Sequence, residues 1–572
     1  MTDSTVVLPS PQRWDQPFDP DMRDEDVQRV LSMSPFSIID ADRFPEHISL
    51  HDIIKNDAAI RNYRSGDIIV REGDYGSSAF FILSGSVQVV LSPSLPAHML
   101  GRREPEVKGL WGALSQLWKN SINPEQRDPK NYLNDGQGIH TESATDSLVS
   151  LKNIDKIMNT HQTAQLGRGD MFGEIAALSR TSRGATVFAE NEVEVLELQW
   201  EGLRDIRNKS DEFRTFIDER YRERSLKLHL IESPLFSHLD NEHLSQIVNA
   251  TQFETYGNFN WYAPFKSMVE KSGGDPLEQE PIIAREGHYV NGLILIRSGF
   301  ARQSQKLNHG HRTISYMGRG DMYGLHELVN NWTSARHVPN QSSLSAMGYV
   351  DVLRIPTAII EEYVLPQLPE EQLDSIKQAN KLAMSDKEQA VKMGRNDGFL
   401  EFLVENRFIN GTQSMLIDLD RCTRCDDCVR ACTVAHDNNP RFIRHGKRHD
   451  NIMVANSCMH CTDPVCMIGC PTGAIHRDAY QGQVVINDNS CIGCGSCAAS
   501  CPYNNIRLVE IRDSKGNFII NESTQAPVLK ATKCDLCIDQ QVSPSCERAC
   551  PHDAMIRINM CDTEKLNAWL SR

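Results

Sequence analysis

The sequence predicts a multidomain α+β protein that ends in a cysteine-rich domain. All seventeen cysteines of the 572-residue chain lie beyond residue 421, and sixteen of them form four groups of four. Before them, the segments Ile68–Tyr75 and Leu166–Gly173 recur as Ile282–Tyr289 and Met317–Gly324. A chain of this length suits about four domains. We therefore expect two copies of one β-rich domain, a helical linker and the cysteine-rich domain.

Composition and charge disfavour several classes of protein. Hydrophobic residues make up 40% of the chain and charged residues 24%, as in ordinary globular proteins. The net charge of −16 argues against a nucleic-acid partner, since such proteins carry a basic balance or stripe. No apolar run approaches the ~18 residues that would span a bilayer, so no transmembrane segment is expected. Met1–Asp40 has neither an apolar signal region nor twin arginines, which favours a cytoplasmic protein with reduced cysteines over a secreted one with disulfides.

Residues 1–35 are predicted to form a flexible N-terminal arm. The segment is polar and has four prolines among its first twenty residues. Terminal segments of this kind are poorly ordered unless another element holds them.

The recurring segments define two β-rich domains, at residues 36–225 and 226–365. Short β-branched and aromatic runs separated by Gly-Asp and Ser-Gly turns are typical of antiparallel β structure, and recurrence indicates one domain present twice. The first landmark recurs at an offset of 214 residues and the second at 151, so the first copy carries 63 more residues between them. We place this excess in an insertion at about 92–161, a polar stretch that breaks no motif.

The segment Phe172–Val187 (FGEIAALSRTSRGATV) has the residues that a phosphate site needs. Free main-chain N–H groups at the start of a short helix, expected at Ile175–Leu178, suit one negative charge. Arg183 can add a charge-assisted fork to the phosphate oxygens.

This segment resembles the phosphate-binding cassette of cyclic nucleotide-binding domains, as in the protein kinase A regulatory subunit and the catabolite activator protein. The resemblance implies a β-roll with flanking helices that binds a cyclic nucleotide, cAMP or cGMP. Such rolls also serve as packing modules with an empty pocket, so binding stays open at this point. The resemblance also implies that Glu174 accepts a hydrogen bond from the ribose 2′-hydroxyl and that Ala185 and Thr186 line the phosphate and the base. The residues implied for the site are Gly173, Glu174, Ile175, Ala176, Arg183, Ala185 and Thr186.

The second copy departs from this pattern. After Tyr323-Gly324 it has neither a glutamate directly after the glycine nor Arg-x-Ala-Thr. We expect a degenerate cyclic nucleotide-binding domain that acts as scaffold or dimer surface, which leaves a homo-oligomer open. The glycines of Gly167–Gly169 do not indicate a dinucleotide site, because no βαβ unit surrounds them. A helical linker at 366–412, with a polar helix at Glu370–Lys392, stands where catabolite activator relatives carry their DNA-binding motif, and this disfavours a transcription factor.

The four cysteine groups have the spacing of iron–sulfur ligands. A cubane [4Fe-4S] cluster needs four thiolates, and C-x2-C-x2-C-x3-C supplies them. Groups one and three have this spacing, whereas the middle gap is four residues in group two and eight in group four. Zinc is less favoured, because zinc ribbons do not require the last cysteine of each group. The groups are Cys422, Cys425, Cys428, Cys432; Cys458, Cys461, Cys466, Cys470; Cys491, Cys494, Cys497, Cys501; and Cys534, Cys537, Cys546, Cys550.

Residues of about 413–560 resemble the four-cluster electron-transfer subunits of molybdopterin oxidoreductases (the dimethyl sulfoxide reductase and nitrate reductase beta subunits) and of some hydrogenases. The resemblance implies a double ferredoxin-like domain at 413–572 with four [4Fe-4S] clusters, in which the fourth cysteine of each motif binds the neighbouring cluster. Cys561 is left over. The implied ligand sets are set I (Cys422, Cys425, Cys428, Cys550), set II (Cys432, Cys534, Cys537, Cys546), set III (Cys458, Cys461, Cys466, Cys501) and set IV (Cys470, Cys491, Cys494, Cys497).

The resemblance implies an electron-transfer subunit that is not catalytic by itself. A separate catalytic subunit would supply the bond-breaking cofactor. It could be a molybdopterin enzyme, a hydrogenase or a flavin-dependent pyridine-nucleotide oxidoreductase. The alternative is a signalling protein whose clusters sense redox state or oxygen and whose nucleotide domains relay it, although four fully ligated clusters exceed what sensing needs.

Overall fold

The structure is a computed structural model that describes most of the chain. Outside the described residues lie most of the insertion predicted at about 92–161, Arg336, and the greater part of the helix predicted at Glu370–Lys392. Within the described part, every helix is too short or too polar to cross a membrane. The described residues are 7–8, 14, 17–92, 95, 122–127, 150–151, 154–179, 182–222, 226–227, 230, 233–258, 261–271, 280–307, 310–334, 337–376, 397–478, 481–538, 540 and 543–572.

The chain divides into two compact units. One consists of Met1–Arg214 and Asn410–Arg572, so the first β-rich domain and the cysteine-rich domain belong to the same unit. The other consists of Thr215–Ile409 and contains the second β-rich domain.

The N-terminal segment contains regular structure: strand β1 (Val7–Leu8) and helix α1 (Asp24–Leu31). The sequence predicts a flexible arm over 1–35, whereas α1 forms there for two reasons. Its first turn holds three acidic residues, which suit the positive end of the helix dipole. Val27 and Val30 then lie on one face and are fully buried.

Eight antiparallel strands in two four-stranded sheets form the first β-roll. The strands are β2 (Ala58–Tyr63), β3 (Ile68–Val70), β4 (Ser78–Ser84), β5 (Val87–Ser92), β6 (Gln162–Leu166), β7 (Met171–Phe172), β8 (Thr186–Ala189) and β9 (Val193–Gln199). The sheet orders are β2-β9-β4-β7 and β3-β8-β5-β6. Alternate residues such as Phe80 and Ile82 on β4, and Val193 and Val195 on β9, enter one core, as the two-residue period of a strand requires.

Helices and short 3₁₀ turns flank this roll. The turns are Phe36–Ile38, Ala41–Arg43 and Glu46–Ile48. The helices are α2 (Leu50–Asp57), α3 (Ile154–Thr160), α4 (Glu174–Ser179), α5 (Trp200–Lys209) and α6 (Asp211–Tyr221).

The second β-roll repeats the connectivity of the first. Its strands are β10 (Gln252–Tyr256), β11 (Ile282–Ala284), β12 (Gly292–Ser298), β13 (Ala301–Leu307), β14 (Gly310–Met317), β15 (Met322–Tyr323), β16 (Ser343–Ala346) and β17 (Val350–Pro356). The sheet orders are β10-β17-β12-β15 and β11-β16-β13-β14, which match those of the first roll strand for strand. This agreement confirms the predicted pair of β-rolls.

Helical segments accompany the second roll and follow it. The helices are α7 (Asn241–Ala250), α8 (Tyr262–Lys271), α9 (Leu325–Thr333), α10 (Thr357–Ile359) and α11 (Asp397–Glu405). A π-helical turn at Ile360–Val364 and 3₁₀ turns at Leu365–Gln367 and Phe408–Asn410 complete this part.

Short strands and helices build the cysteine-rich domain. The strands are β18 (Ser414–Asp418), β19 (Ile443–His449), β20 (Ile452–Asn456), β21 (Ile475–Arg477), β22 (Val484–Ile486), β23 (Arg507–Glu510), β24 (Ile520–Asn521), β25 (Leu529–Thr532) and β26 (Met555–Ile558). The helices are α12 (Asp427–Ala435), α13 (Val465–Ile468), α14 (Ser496–Ser500), α15 (Ser545–Arg548) and α16 (Thr563–Leu570). One sheet has the order β19-β20-β18-β26; β21-β22, β23-β25 and the parallel β1-β24 are two-stranded.

Cysteines form part of two hydrophobic cores in this domain. One core joins Cys428, Cys432 and Cys546 to Met415 and Ile417. The other core joins four cysteines to the apolar residues of the β21-β22 hairpin, and these cysteines are Cys470, Cys491, Cys497 and Cys501. The sulfur atoms of these seven cysteines therefore lie inside the domain, where a cluster would be shielded from water.

Candidate functional sites

The topology of the cysteine-rich domain explains which cysteine groups meet. β18 leads into Cys422, β26 follows Cys550, and the two strands pair antiparallel. Groups one and four therefore lie side by side. β21 and β22 pair with each other between Cys470 and Cys491, which brings groups two and three together.

The four thiols of set I line one cleft, together with residues that include Arg444. Burial, together with the nearby thiols of Cys422 and Cys550, raises the pKa of Cys428 to about 11. The structure thus brings three cysteines of group one to the last cysteine of group four.

Set II gathers around Cys432. Burial raises the pKa of this thiol, and Cys534, Cys546 and Cys537 add to the rise by their proximity. The main-chain N–H of Arg441 donates to the Sγ of Cys432 at 3.2 Å. The fourth cysteine of group one therefore lies with three cysteines of group four.

Sets III and IV are formed by groups two and three. Burial raises the pKa of Cys461 and of Cys466 well above the usual range, and both thiols lie near Cys458 and Cys501. Burial, together with the other three thiols of set IV, raises the pKa of Cys497 to about 12. All four sets implied by the resemblance are thus brought together as sets.

The chemistry of these sets suits iron–sulfur clusters. Four thiols crowded in a buried site resist ionisation, because neighbouring thiolates repel each other and burial penalises each charge. Iron supplies the positive charge that holds them as thiolates, and sulfur is the ligand that such clusters take. The residues present therefore fit the group that the sequence predicts.

Tight turns with left-handed backbone carry the paired cysteines. In every group the residue directly before the second cysteine has a positive φ: Arg424 at 62°, His460 at 47°, Gly493 at 68° and Leu536 at 60°. At Gly493 a Cβ atom would lie 2.1 Å from the main-chain oxygen of Leu529, so a glycine is required there.

Main-chain N–H groups point at one sulfur of each set. Hydrogen bonds of this kind stabilise a thiolate and tune the potential of a cluster. Besides the bond to Cys432, they run from Asn505 to Cys501 (3.4 Å), from Ala531 to Cys491 (3.5 Å) and from Ala554 to Cys550 (3.3 Å).

Arg183 is the central side chain of the first cassette. It is buried, and its guanidinium donates to the main-chain oxygens of Gly173 (2.6 Å) and Ser78 (2.7 Å). Burial lowers the pKa of Arg183 to about 10, while nearby carboxylates, that of Glu197 foremost, oppose this shift. The guanidinium is therefore charged at neutral pH and held by neutral acceptors.

The remaining cassette residues surround the start of α4. Gly173, with φ of 79°, precedes this helix, Glu174 is its buried first residue, and Ala176 is buried on it. Ala185 is half-buried and Thr186 is buried on β8, where its hydroxyl accepts a hydrogen bond from the N–H of Glu72 at 3.0 Å. Ile175 is also implied for the nucleotide site, and its side chain lies outside the described part.

The second cassette keeps the backbone of the first without its charged residues. Gly324, with φ of 90°, precedes α9 as Gly173 precedes α4. Leu325 stands where the first copy has Glu174. In the core of this roll, the buried Arg302 pairs with the buried carboxylate of Glu280 at 2.9 Å, whereas Arg183 donates to carbonyl oxygens.

Two parts of the chain match models of known protein families. A 4Fe-4S dicluster domain model matches residues 449–559, and a cyclic nucleotide-binding domain model matches residues 152–210. The electron transport protein HydN of Escherichia coli K12 is 34% identical over 175 residues, which make up 28% of this chain and 94% of HydN. This protein belongs to the family of 4Fe-4S ferredoxin-type electron-transfer proteins.

Other members of this 4Fe-4S family are similar over the same region. The thiosulfate reductase electron transfer subunit PhsB of Salmonella typhi is 32% identical, over 28% of this chain and 81% of PhsB. The B subunit of the anaerobic dimethyl sulfoxide reductase of Escherichia coli K12 is 33% identical, over 24% of this chain and 69% of that subunit. Among solved structures, the regulatory domain of Toxoplasma gondii protein kinase A with cAMP matches 64% of this chain and 98% of that domain, at 14% identity and a TM-score of 0.21.

This 4Fe-4S protein also has buried cations among its cysteine sets, which the motifs do not indicate. Arg557 on β26 donates to the Sγ of Cys534. The Nζ of Lys530 donates to the main-chain oxygen of Cys491 at 2.6 Å, and that of Lys533 to Cys534 O at 2.9 Å. The two lysines lie within four residues of Cys534, and that nearness was the only sequence signal for any of the three.

The exposed edges of the 4Fe-4S domain lie at sets I and IV. Cys425 of set I and Cys494 of set IV are exposed, whereas the other set cysteines are buried or half-buried. Each of these two sets therefore has one cysteine at the surface of the domain.

Proposed function

We propose that this chain is the electron-transfer subunit of a cytoplasmic oxidoreductase complex, with four [4Fe-4S] clusters and a cyclic nucleotide bound in the first roll. The observation that carries the proposal is the convergence of sixteen cysteines into four sets of four. Each cluster, when bound, accepts and releases one electron at a time. The ligands would be the cysteines of sets I to IV, and the anion site would be formed around Arg183.

The order of the sets along the domain is supported by shared elements. Cys428 of set I and Cys432 of set II lie one turn apart on α12. Cys458 of set III packs with Cys534 of set II in one small apolar cluster. Cys497 of set IV lies on α14 and Cys501 of set III follows directly after this helix. This supports the order I, II, III and IV. A row of this kind suits conduction between two partners.

The partner at one end would be a catalytic subunit. PhsB and the B subunit of dimethyl sulfoxide reductase are named for reductases, and this supports a molybdopterin enzyme for the present chain as well. A hydrogenase or a flavin-dependent pyridine-nucleotide oxidoreductase would use the same row. The exposed edges at Cys425 and Cys494 are the surfaces that such partners would contact.

Anaerobic purification of the full chain from its own cells tests this function. We expect about sixteen irons and sixteen acid-labile sulfides per chain, little zinc, and a catalytic subunit in stoichiometric amount. One or two zincs without sulfide would contradict electron transfer. A homodimer with clusters but without a catalytic subunit would instead support the redox-sensing alternative.

A further inference from the structure

The first β-roll contacts the cysteine-rich domain beside set III. The guanidinium of Arg204 on α5 donates to the main-chain oxygen of Ile468, which lies between Cys466 and Cys470. A cleft at this contact is lined by residues of both domains, among them Ala177 of α4. The helix of the first cassette thus faces the surface that carries set III.

The ring of Tyr75 lies at the centre of this contact. Tyr75 belongs to the loop between β3 and β4, and the guanidinium carbon of Arg477 lies 5.2 Å from its ring centroid. A Cβ atom at Gly482 would lie 2.2 Å from the same ring. The ring therefore packs directly on the backbone of the cysteine-rich domain and under a cation. The ring and the guanidinium of Arg477 attract each other in this arrangement.

Arg477 connects this ring to a ligand loop of set III. Its Nη2 donates to the main-chain oxygens of Cys461 and Thr462, the second at 2.8 Å, and its Nη1 donates to Gly482 O at 2.7 Å. A planar guanidinium fixed by three acceptors holds the loop in one position. It also places a positive charge beside Cys461.

The other side of the Tyr75 loop is held by Arg183. The N–H of Gly73 donates to Arg183 O at 2.8 Å, and the N–H of Arg183 donates to Asp74 O at 2.7 Å. The guanidinium of Arg183 donates to Ser78 O, and a Cβ atom at Gly76 would lie 2.4 Å from its Nη2. The loop on both sides of Tyr75 is thus fastened to the arginine of the cassette.

We propose that Arg477 is a positioning residue through which a cyclic nucleotide at Arg183 lowers the reduction potential of the cluster at set III. The inference rests on the proposed function, because it needs both ligands. A phosphate competes with Gly173 O and Ser78 O for the guanidinium of Arg183, and the loop that carries Tyr75 then shifts. Its ring then leaves the guanidinium of Arg477, which is held by its carbonyl acceptors alone and moves more freely beside Cys461. Because a nearby cation favours the more negative reduced cluster, loosening that cation lowers the potential.

Two measurements on the full chain with its clusters test this link between a nucleotide at Arg183 and the set III cluster. Calorimetry with cAMP and cGMP reports binding, and a redox titration followed by electron paramagnetic resonance reports the set III cluster. At a fixed potential, saturating nucleotide should lower the ratio of reduced to oxidised cluster about threefold, or about 28 mV for one electron. Binding without any change in this ratio would overturn the link and leave the proposed function intact.

Variants separate the link from a general loss of structure. Tyr75→Ala and Arg477→Lys should bind nucleotide and lose the shift, whereas Tyr75→Phe keeps the ring and should keep the shift. Arg512→Lys is the matched control, because Arg512 also stacks on a ring, that of Phe518 at 3.7 Å, and donates to a glycine carbonyl. A shift that survives in Tyr75→Ala would overturn the proposal.

The link can also be tested without ligand. Arg183→Gln should itself lower the reduced fraction of the set III cluster, because it removes the guanidinium that holds the Tyr75 loop at Ser78 O. If neither nucleotide binds but this variant acts as expected, Arg183 is coupled to the set III cluster through Arg477, whereas control by a cyclic nucleotide, here and in the proposed function, is overturned. If neither nucleotide nor Arg183→Gln changes the ratio, the link is wrong.

Discussion

The guanidinium of Arg557 donates a hydrogen bond to the Sγ of Cys534 at 3.2 Å and to Cys458 O at 3.3 Å. One buried cation therefore touches a ligand residue of set II and one of set III. It is further held by Ser457 Oγ and Gln413 O. A positive charge at this position stabilises the reduced state of either cluster, since reduction adds negative charge.

Replacing Arg557 by glutamine should lower the reduction potentials of the clusters at sets II and III. A charged hydrogen bond to sulfur is lost together with the charge, and the expected fall is on the order of 100 mV for a one-electron couple. Redox titration followed by electron paramagnetic resonance measures it. Arg557→Lys should recover part of the fall, and Arg512→Gln, at a guanidinium that contacts Gly516 O and the ring of Phe518 instead, should have no effect. Unchanged potentials in Arg557→Gln would show that this cation has no influence.

The sequence predicts the sets well because their ligands come from local motifs. C-x2-C spacing is a property of one turn, and the resemblance adds the crosswise fourth ligand. Neither the spacing nor the resemblance reveals the contact of Arg557 with Cys534. Arg557 lies seven residues beyond Cys550 and reaches Cys534 only through the pairing of β26 with β18. The same limit applies to Tyr75 and Arg477, because their contact depends on how two domains pack.

Cys432→Ser tests the crosswise arrangement. Cys432 lies on α12 with Cys428, yet its thiol lies among those of Cys534, Cys546 and Cys537. We therefore expect the set II cluster to be lost or altered and the set I cluster to be retained, with iron falling by about one to four atoms per chain. Iron analysis measures the loss, and electron paramagnetic resonance shows whether the set I or the set II cluster is affected. Cys561→Ser is the control and should change neither.

If Cys432→Ser altered the cluster at Cys422, Cys425 and Cys428 alone, ligation would follow each motif rather than cross between motifs. The nested sets would then be wrong.

Arg302→Met should destabilise the second roll. Arg302 and Glu280 are almost fully buried and pair at 2.9 Å, so the substitution leaves a buried carboxylate beside the more distant cation of Arg407, at 3.7 Å. Breaking a buried pair on one side costs about 3–5 kcal/mol. Scanning calorimetry of the full chain should show an earlier transition. Arg285→Ala, at an exposed position, should change stability by less than about 0.5 kcal/mol.

The double variant Arg302→Met with Glu280→Leu separates the lost pair from lost packing. It should regain more than half of the lost stability, because no carboxylate is then left buried. A double variant as unstable as Arg302→Met would assign the loss to packing instead.

Arg183 is expected to hold the phosphate of the proposed nucleotide. A buried guanidinium held by carbonyl oxygens keeps its full charge for an anion, whereas one held by a carboxylate, as Arg302 is, does not. Arg183→Ala should therefore weaken binding of cAMP or cGMP by about 1.5–3 kcal/mol, or roughly 10- to 150-fold. Glu174→Ala should weaken it too, through the ribose hydroxyl. Isothermal calorimetry on the full chain should give one site in the wild type.

The matched control is Arg336→Ala in the second copy, where the sequence lacks the cassette motif and no change in affinity is expected. Circular dichroism of Arg183→Ala should first show that the first roll is folded, because Arg183 also bonds Gly173 O and Ser78 O. Arg183→Lys keeps the charge without the fork and should bind with intermediate affinity. Two sites per chain, or an Arg183→Ala variant that binds as tightly as the wild type, would place the nucleotide elsewhere. Absence of heat with either nucleotide at millimolar concentration would make both rolls scaffolds. The proposed electron transfer through the four clusters would be unaffected by that result.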